Sequence, residues 1–195
     1  SLLPVISKVF ESLINKHLIS HLESNNLLSD HQYGFRSSRS TADLLTVITD
    51  RFYRAVDRGG EGKAIALDIS KAFDKVWYAG LLHKLSSYGV AGNIFKIIES
   101  FLSNCSIKVV LDGQHSSSHP VTSGVPQGSI LGPILFLIYI NDLPDILTSK
   151  VALFADDTTI FSCHDKKPTP SDCLQGASEL EKISLLLQHG AHSGW

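Results

Sequence analysis

The sequence predicts an α+β chain. Three observations point there. Apolar residues recur at helical spacing in several stretches, shorter apolar runs of strand length lie between them, and Asp112-Gly113 sits between two extended segments as a hairpin turn.

The elements follow in order. Residues 1 to about 28 carry Val5, Val9, Phe10, Leu13, Ile14, His17, Leu18 and Leu22 at three-and-four spacing, which predicts an amphipathic helix after Pro4. A polar, basic loop from Gln32 to Thr41 leads to a second helix over 42–56, with Ser40 or Thr41 as its N-cap and Asp57-Arg58-Gly59-Gly60 as its stop. Lys63 to Ile69 reads as a buried strand, and Lys71 to Tyr88 as one helix burying Ala72, Phe73, Val76, Leu81, Leu82 and Leu85. A further helix is expected over 92–102, then the hairpin of 107–111 and 118–122, then a turn-forming loop over 123–129. A buried helix from about Pro133 to Tyr139 or Leu143 comes next. In Val151 to Phe161 two adjacent charges interrupt an apolar run, and a straight strand would send them to opposite faces. A tight hairpin with Asp156 and Asp157 at its tip resolves this. Leu174 to Leu187 carries a helical pattern.

Composition sets bounds. With 195 residues, 43% of them hydrophobic, the chain can bury a real core. A net charge of −2 and a pI near 6.5 give nucleic-acid binding no support from overall charge, so such a role must come from local placement. The three cysteines have no CxxC spacing, which argues against a zinc site or a disulfide framework and fits a reducing, intracellular compartment. The longest apolar stretch, Ile130 to Ile140, is interrupted by Gly132 and Pro133, so no membrane span is expected. The chain starts at Ser1 and contains no Met, so a fragment is expected.

The chemistry starts from the carboxylates. Asp68 closes the apolar run Ala64-Ile65-Ala66-Leu67, and Asp156-Asp157 sit within another. Like charges about 4 Å apart repel by roughly 4 kcal/mol at an effective dielectric near 20, a penalty that a divalent cation removes. Nucleotidyl transfer needs such a group: two Mg²⁺ about 3.5–4 Å apart activate a primer 3′-hydroxyl and neutralise the leaving pyrophosphate. Carboxylates and phosphate oxygens are the donors Mg²⁺ prefers.

Three stretches carry a resemblance. Ala66-Leu67-Asp68-Ile69-Ser70-Lys71-Ala72-Phe73-Asp74-Lys75-Val76, then Ser123-Gly124-Val125-Pro126-Gln127-Gly128-Ser129-Ile130-Leu131-Gly132-Pro133, then Phe154-Ala155-Asp156-Asp157 occur in the order and spacing of three central reverse transcriptase motifs. With Gln32-Tyr33-Gly34-Phe35-Arg36 upstream and Tyr139-Ile140-Asn141-Asp142-Leu143-Pro144 downstream, residues 1 to about 187 resemble the polymerase domain of non-LTR, LINE-type, jockey-like retrotransposons. The resemblance implies a right-hand polymerase palm, an antiparallel sheet with helices on one face, with partial fingers and no thumb. Residues 1–62 would be partial fingers. Residues 63–187 would be palm, with fingers elements between 89 and 122, and 188–195 an irregular end.

It also implies roles. Asp68 and Asp156 would be the principal ligands of two Mg²⁺ ions, which Mn²⁺ could replace, with Asp157 as third carboxylate and the carbonyl of Ile69 as a further ligand. Phe73 would be the steric gate against a ribose 2′-hydroxyl, Gln127 would touch the incoming nucleotide, and Gly128 would allow close backbone approach. Arg36 and Arg39 would meet the triphosphate, to whose oxygens guanidinium offers paired donors. The partners implied are an RNA template, a DNA primer and deoxynucleoside triphosphates, in the nucleus or cytoplasm.

Blander readings stand beside these. Asp156-Asp157 could be an exposed turn, Asp68 a helix N-cap, Phe73 a core residue, Gln127 a support for its own loop, and the two arginines a solvated loop. For function, the alternatives are a truncated, non-catalytic retroelement remnant that at most binds RNA, and another templated polymerase, either RNA-dependent RNA polymerase or intron-encoded reverse transcriptase. Phe73 argues against RNA synthesis.

Overall fold

The computed structural model describes residues 5–103, 105–164 and 178. The chain divides into two compact units, each assembled from two stretches: Ser1–Leu27 with Lys71–Tyr139, and Leu28–Ser70 with Ile140–Trp195.

The first unit is mainly helical. Helix α1, Val5–Ser24, buries Glu11, Ile14, Leu18 and Leu22 at a spacing of three or four. The predicted stripe was wider than this face, for Val5, Val9, Phe10 and Leu13 are exposed. A single helix over 71–88 does not form either. Lys71 takes a left-handed backbone, Ala72–Lys75 makes one 3₁₀ turn, Val76 and Trp77 are extended, and α3 runs only over Tyr78–Ser87. The interruption has a cause: the N–H groups of Gly124 and Val125 bond the carbonyls of Val76 and Phe73, and Ser123 Oγ donates to the Asp74 carbonyl. The 123–125 loop thus takes the acceptors that a continuous helix would use internally. Helix α4, Gly92–Leu102, occupies the span the sequence predicts and packs on α3.

Four short strands follow. Antiparallel β2 (Ser106–Ile107) pairs with β5 (His119–Pro120), and β3 (Val110–Leu111) with β4 (Gln114–His115). Asp112 and Gly113 both have positive φ, 50° and 76°, the pair of angles that a two-residue type I′ turn demands. Helix α5, Leu131–Ile140, starts two residues earlier than predicted and is buried nearly all round, as its continuous apolar sequence requires.

The second unit holds the main sheet. Helix α2, Thr41–Asp57, begins with a capping box in which Ser40 and Asp43 bond each other's backbone N–H. Strand β1, Glu61–Leu67, is followed, where the chain re-enters this unit, by the short α6, Leu143–Ile146, then β6, Lys150–Phe154, and β7, Asp157–His164. The sheet is antiparallel in the order β1-β7-β6. Helix α2 covers one face, where Leu44 and Ile48 meet Ala152 and Phe161. Leu143 and Leu147 meet Val151, Leu153 and Ile160 in a second cluster.

Strand β1 departs from expectation. It starts two residues earlier and ends at Leu67, so Asp68 and Ile69 lie beyond it, and its middle residues, Lys63 to Ala66, are exposed rather than buried. It is an outer strand, paired only with β7 among the described strands. Of the helical pattern of 174–187 only Ser178, which is helical, lies among the described residues. Among those that are described, no helix is long and apolar enough to cross a membrane.

Candidate active site

The last register pair of β1 and β7 is Leu67 with Thr158. Asp68 follows the first of these and Asp157 precedes the second, so antiparallel pairing brings both carboxylates to the same end of the sheet. They line one pocket of about 360 Å³ together with Thr41 and Leu45 of α2, Ala66 of β1 and Phe154 of β6. Asp68 and Asp157 are exposed and Asp156 is half-buried. Thr158 lines the same pocket at 2% exposure, and its Oγ1 has no hydrogen-bond partner.

The hairpin is tighter than expected. Phe154 pairs with Asp157, so the two-residue loop is Ala155-Asp156, and Asp157 already belongs to β7 rather than to the tip. Ala155 has φ of 56°, at the first central position, where a two-residue turn with one positive φ normally carries glycine. A left-handed alanine costs about 1–2 kcal/mol, which surrounding contacts must offset.

Those contacts come from the loop before α2. The N–H of Tyr33 donates to the Leu153 carbonyl at 2.8 Å, and the N–H of Leu153 to the His31 carbonyl at 2.9 Å, so Gln32 forms a parallel bridge beside β6. Its side chain, 2% exposed, reaches the turn. Gln32 Oε1 accepts the N–H of Ala155 at 2.9 Å and of Gly34 at 2.7 Å, while Nε2 donates to the Ala155 carbonyl at 3.3 Å. A Cβ on Gly34 would stand 2.3 Å from the Ala155 nitrogen, so only glycine fits there. Sequence reasoning missed Gln32 and Gly34 as supports of the acidic turn, because the partners are far apart in the chain and no local periodicity links them.

The arginines of the same loop are engaged nearby. Arg36 donates to the Ser29 carbonyl at 2.8 Å. Arg39 forms an ion pair with Asp30 at 2.6 Å and lies over the Tyr33 ring, 5.3 Å from its centroid.

Phe73, Gln127 and Gly128 belong to the helical unit, whereas the three aspartates, Ile69 and the two arginines belong to the sheet unit. The half-buried Phe73 stacks on Phe136, with centroids 4.5 Å apart and planes at 24°. Gln127 is exposed and donates from Nε2 to Asp74 Oδ1 at 3.1 Å. Gly128 has φ of 85°, a conformation that strongly favours glycine.

The donor set suits a hard cation. Among the described residues no three His, Cys, Asp or Glu side chains gather into a group that could hold a metal alone. Mg²⁺ does not need one: it is usually held by one or two carboxylates plus substrate phosphate oxygens. Asp68 and Asp157 on one pocket rim meet that requirement.

The sequence model of the family described as "Reverse transcriptase (RNA-dependent DNA polymerase)" matches residues 1–189. The chain is 37% identical over 165 residues to the probable RNA-directed DNA polymerase from transposon X-element of Drosophila melanogaster, a match covering 82% of this chain and 18% of that protein. It is 32% identical over 173 residues to the RNA-directed DNA polymerase from mobile element jockey of the same species, covering 83% and 18%. The chain therefore spans less than a fifth of those relatives' length. Among solved structures, apo telomerase from Candida tropicalis superposes with a TM-score of 0.69 at 13% identity, over 92% of this chain and 35% of that one. Telomerase from Candida albicans with a fragment of telomeric RNA gives 0.66 at 14%, over 90% and 32%. At such identities the likeness concerns the fold.

Proposed function

Because the chain belongs to the reverse transcriptase (RNA-dependent DNA polymerase) family and has its α+β, right-hand polymerase fold, we propose that it is the polymerase segment of a jockey-like non-LTR retrotransposon protein. In this reading it extends a DNA primer along an RNA template with deoxynucleoside triphosphates, inside the cell, in the nucleus or cytoplasm. Residues 1–62 serve as part of the fingers and 63–187 as palm, with fingers elements between 89 and 122.

The observation that carries the reading is the meeting of Asp68 and Asp157 on one pocket rim, next to the turn that holds Asp156. Asp68 and Asp156 are the principal holders of two Mg²⁺, or Mn²⁺ in their place, with Asp157 and the Ile69 carbonyl completing the set. When bound, such a pair activates the primer hydroxyl and neutralises charge on the leaving pyrophosphate. The residues themselves supply position: strand pairing fixes Asp157, the end of β1 fixes Asp68, and the two-residue turn fixes Asp156. Phe73 excludes the ribose 2′-hydroxyl, and Gln127 and Gly128 contact the incoming nucleotide. Arg36 and Arg39 serve the triphosphate, Arg39 by exchanging its exposed partner Asp30 for phosphate.

The test is primer extension on an RNA template by the protein carrying this chain. Asp68→Asn and Asp156→Asn should each lower the rate on the order of a thousandfold, since such a site contributes several kcal/mol to the transition state. Both variants should melt near the parent's temperature, because Asp68 is exposed and Asp156 half-buried at a turn. Normal extension by either would refute the assignment.

A further inference from the structure

We infer that Gln32 is a positioning residue for nucleotidyl transfer: its buried amide holds Ala155 in the left-handed conformation that sets where Asp156 stands. This inference rests on the polymerase reading and extends it to a residue with no direct part in the chemistry.

Ala155 and Asp156 are the whole loop between β6 and β7, so the direction of Asp156 depends on the backbone angles of Ala155. An alanine at φ of 56° does not hold that conformation by its own preference. The Gln32 amide supplies the constraint from both sides of the residue, accepting from its N–H at 2.9 Å and donating to its carbonyl at 3.3 Å. One oxygen also takes the Gly34 N–H at 2.7 Å, which fixes the side chain's direction. Every atom of this clamp lies within the sheet unit, and Gln32 is itself anchored there by the backbone bonds of its neighbours to Leu153. A glutamine is suited to the task because its amide offers donor and acceptor together without a charge, and a carboxylate in its place would add a third negative group beside Asp156 and Asp157.

The inference is tested with Gln32→Met, which keeps the length and apolar bulk and removes the amide, and with Gln32→Met combined with Ala155→Gly. Glycine adopts positive φ unaided, so it should replace what the amide does for the turn but nothing it does for the core. Amide hydrogen exchange at Ala155 reads the clamp directly, and primer extension reads its consequence. In Gln32→Met, exchange at Ala155 should accelerate and kcat should fall roughly 10- to 100-fold, as for a misplaced catalytic group. KM for the deoxynucleotide should change little, and the double variant should recover most of kcat. A wild-type kcat in Gln32→Met, or a double variant as slow as the single one, overturns the inference. If Gln32→Met does not fold, Gln32→Asn, which withdraws the same amide by one methylene, is read in the same way. Should the unsubstituted protein extend no primer, the polymerase reading fails, while unchanged exchange at Ala155 on substitution would separately overturn the clamp.

Discussion

Glu11 of α1 accepts the backbone N–H of Ile130, the residue before α5, at 2.7 Å. The same oxygen takes the Leu131 N–H at 3.2 Å, so a carboxylate only 4% exposed satisfies two of the donors left open at a helix start. Glu11→Ala is expected to destabilise the protein by about 1.5–3 kcal/mol, the usual range for bonds to a charged acceptor, and Glu11→Gln by less. Urea unfolding measures both. A loss equal in the two variants would show that the charge, not the packing of the side chain, does the work.

Gly34→Ala puts a methyl group 2.3 Å from the backbone nitrogen of Ala155, and backbone cannot turn aside as a side chain can. Overpacking of this kind costs about 1–3 kcal/mol. Because the displaced atom belongs to the loop carrying Asp156, primer extension should fall at least roughly tenfold. Thermal melting and extension rates together check this, and a variant as stable and as fast as the parent would contradict the close approach.

Phe73→Val removes a ring that stacks on Phe136. Stability should drop by about 1–3 kcal/mol from the lost aromatic contact and the space left behind. Incorporation of ribonucleotides relative to deoxynucleotides should rise if the ring excludes the 2′-hydroxyl. Competition between the two nucleotide types measures the ratio, and an unchanged ratio with lowered stability would leave Phe73 a packing residue alone.

Tyr78 donates to the Gly124 carbonyl at 2.8 Å, and burial pushes its hydroxyl above the ordinary value of 10.0, with Cys105 adding to the rise. The folded form therefore holds this proton more tightly than the unfolded chain. Its contribution is fully present below the unfolded value and is lost as pH climbs through the folded one. Denaturant midpoints measured from pH 8 to 11 should fall at the alkaline end. Tyr78→Phe should flatten that fall and cost about 0.5–1.5 kcal/mol at neutral pH through the missing hydrogen bond.

What was legible in the chain was local. The N-cap of α2 at Ser40, the Asp112-Gly113 turn and the apolar period of 92–102 are complete within a few residues, and each formed where its pattern lay. The aspartates were legible as chemistry because their side-chain type and the motifs around them need no coordinates. Properties set by distant partners were not. The break at Val76 depends on Gly124 claiming its carbonyl, the exposure of Lys63 to Ala66 depends on β1 lying outermost, and the role of Gln32 depends on a hairpin far along the chain. In α1 the apolar pattern was real but did not indicate which side would be covered, so Val9 and Phe10 were expected inside and stand outside.

The pairing of Leu67 with Thr158 bears on how the chain reaches its fold during synthesis. Helix α2 and β1 leave the ribosome before roughly ninety further residues have been added, which at about 5–20 residues per second leaves them some 5–20 s without β7. Through that interval Leu44 and Ile48 lack their partners Ala152 and Phe161. A nascent chain of this topology has a dwell time in which holdase chaperones can engage it, and slower translation would lengthen that window.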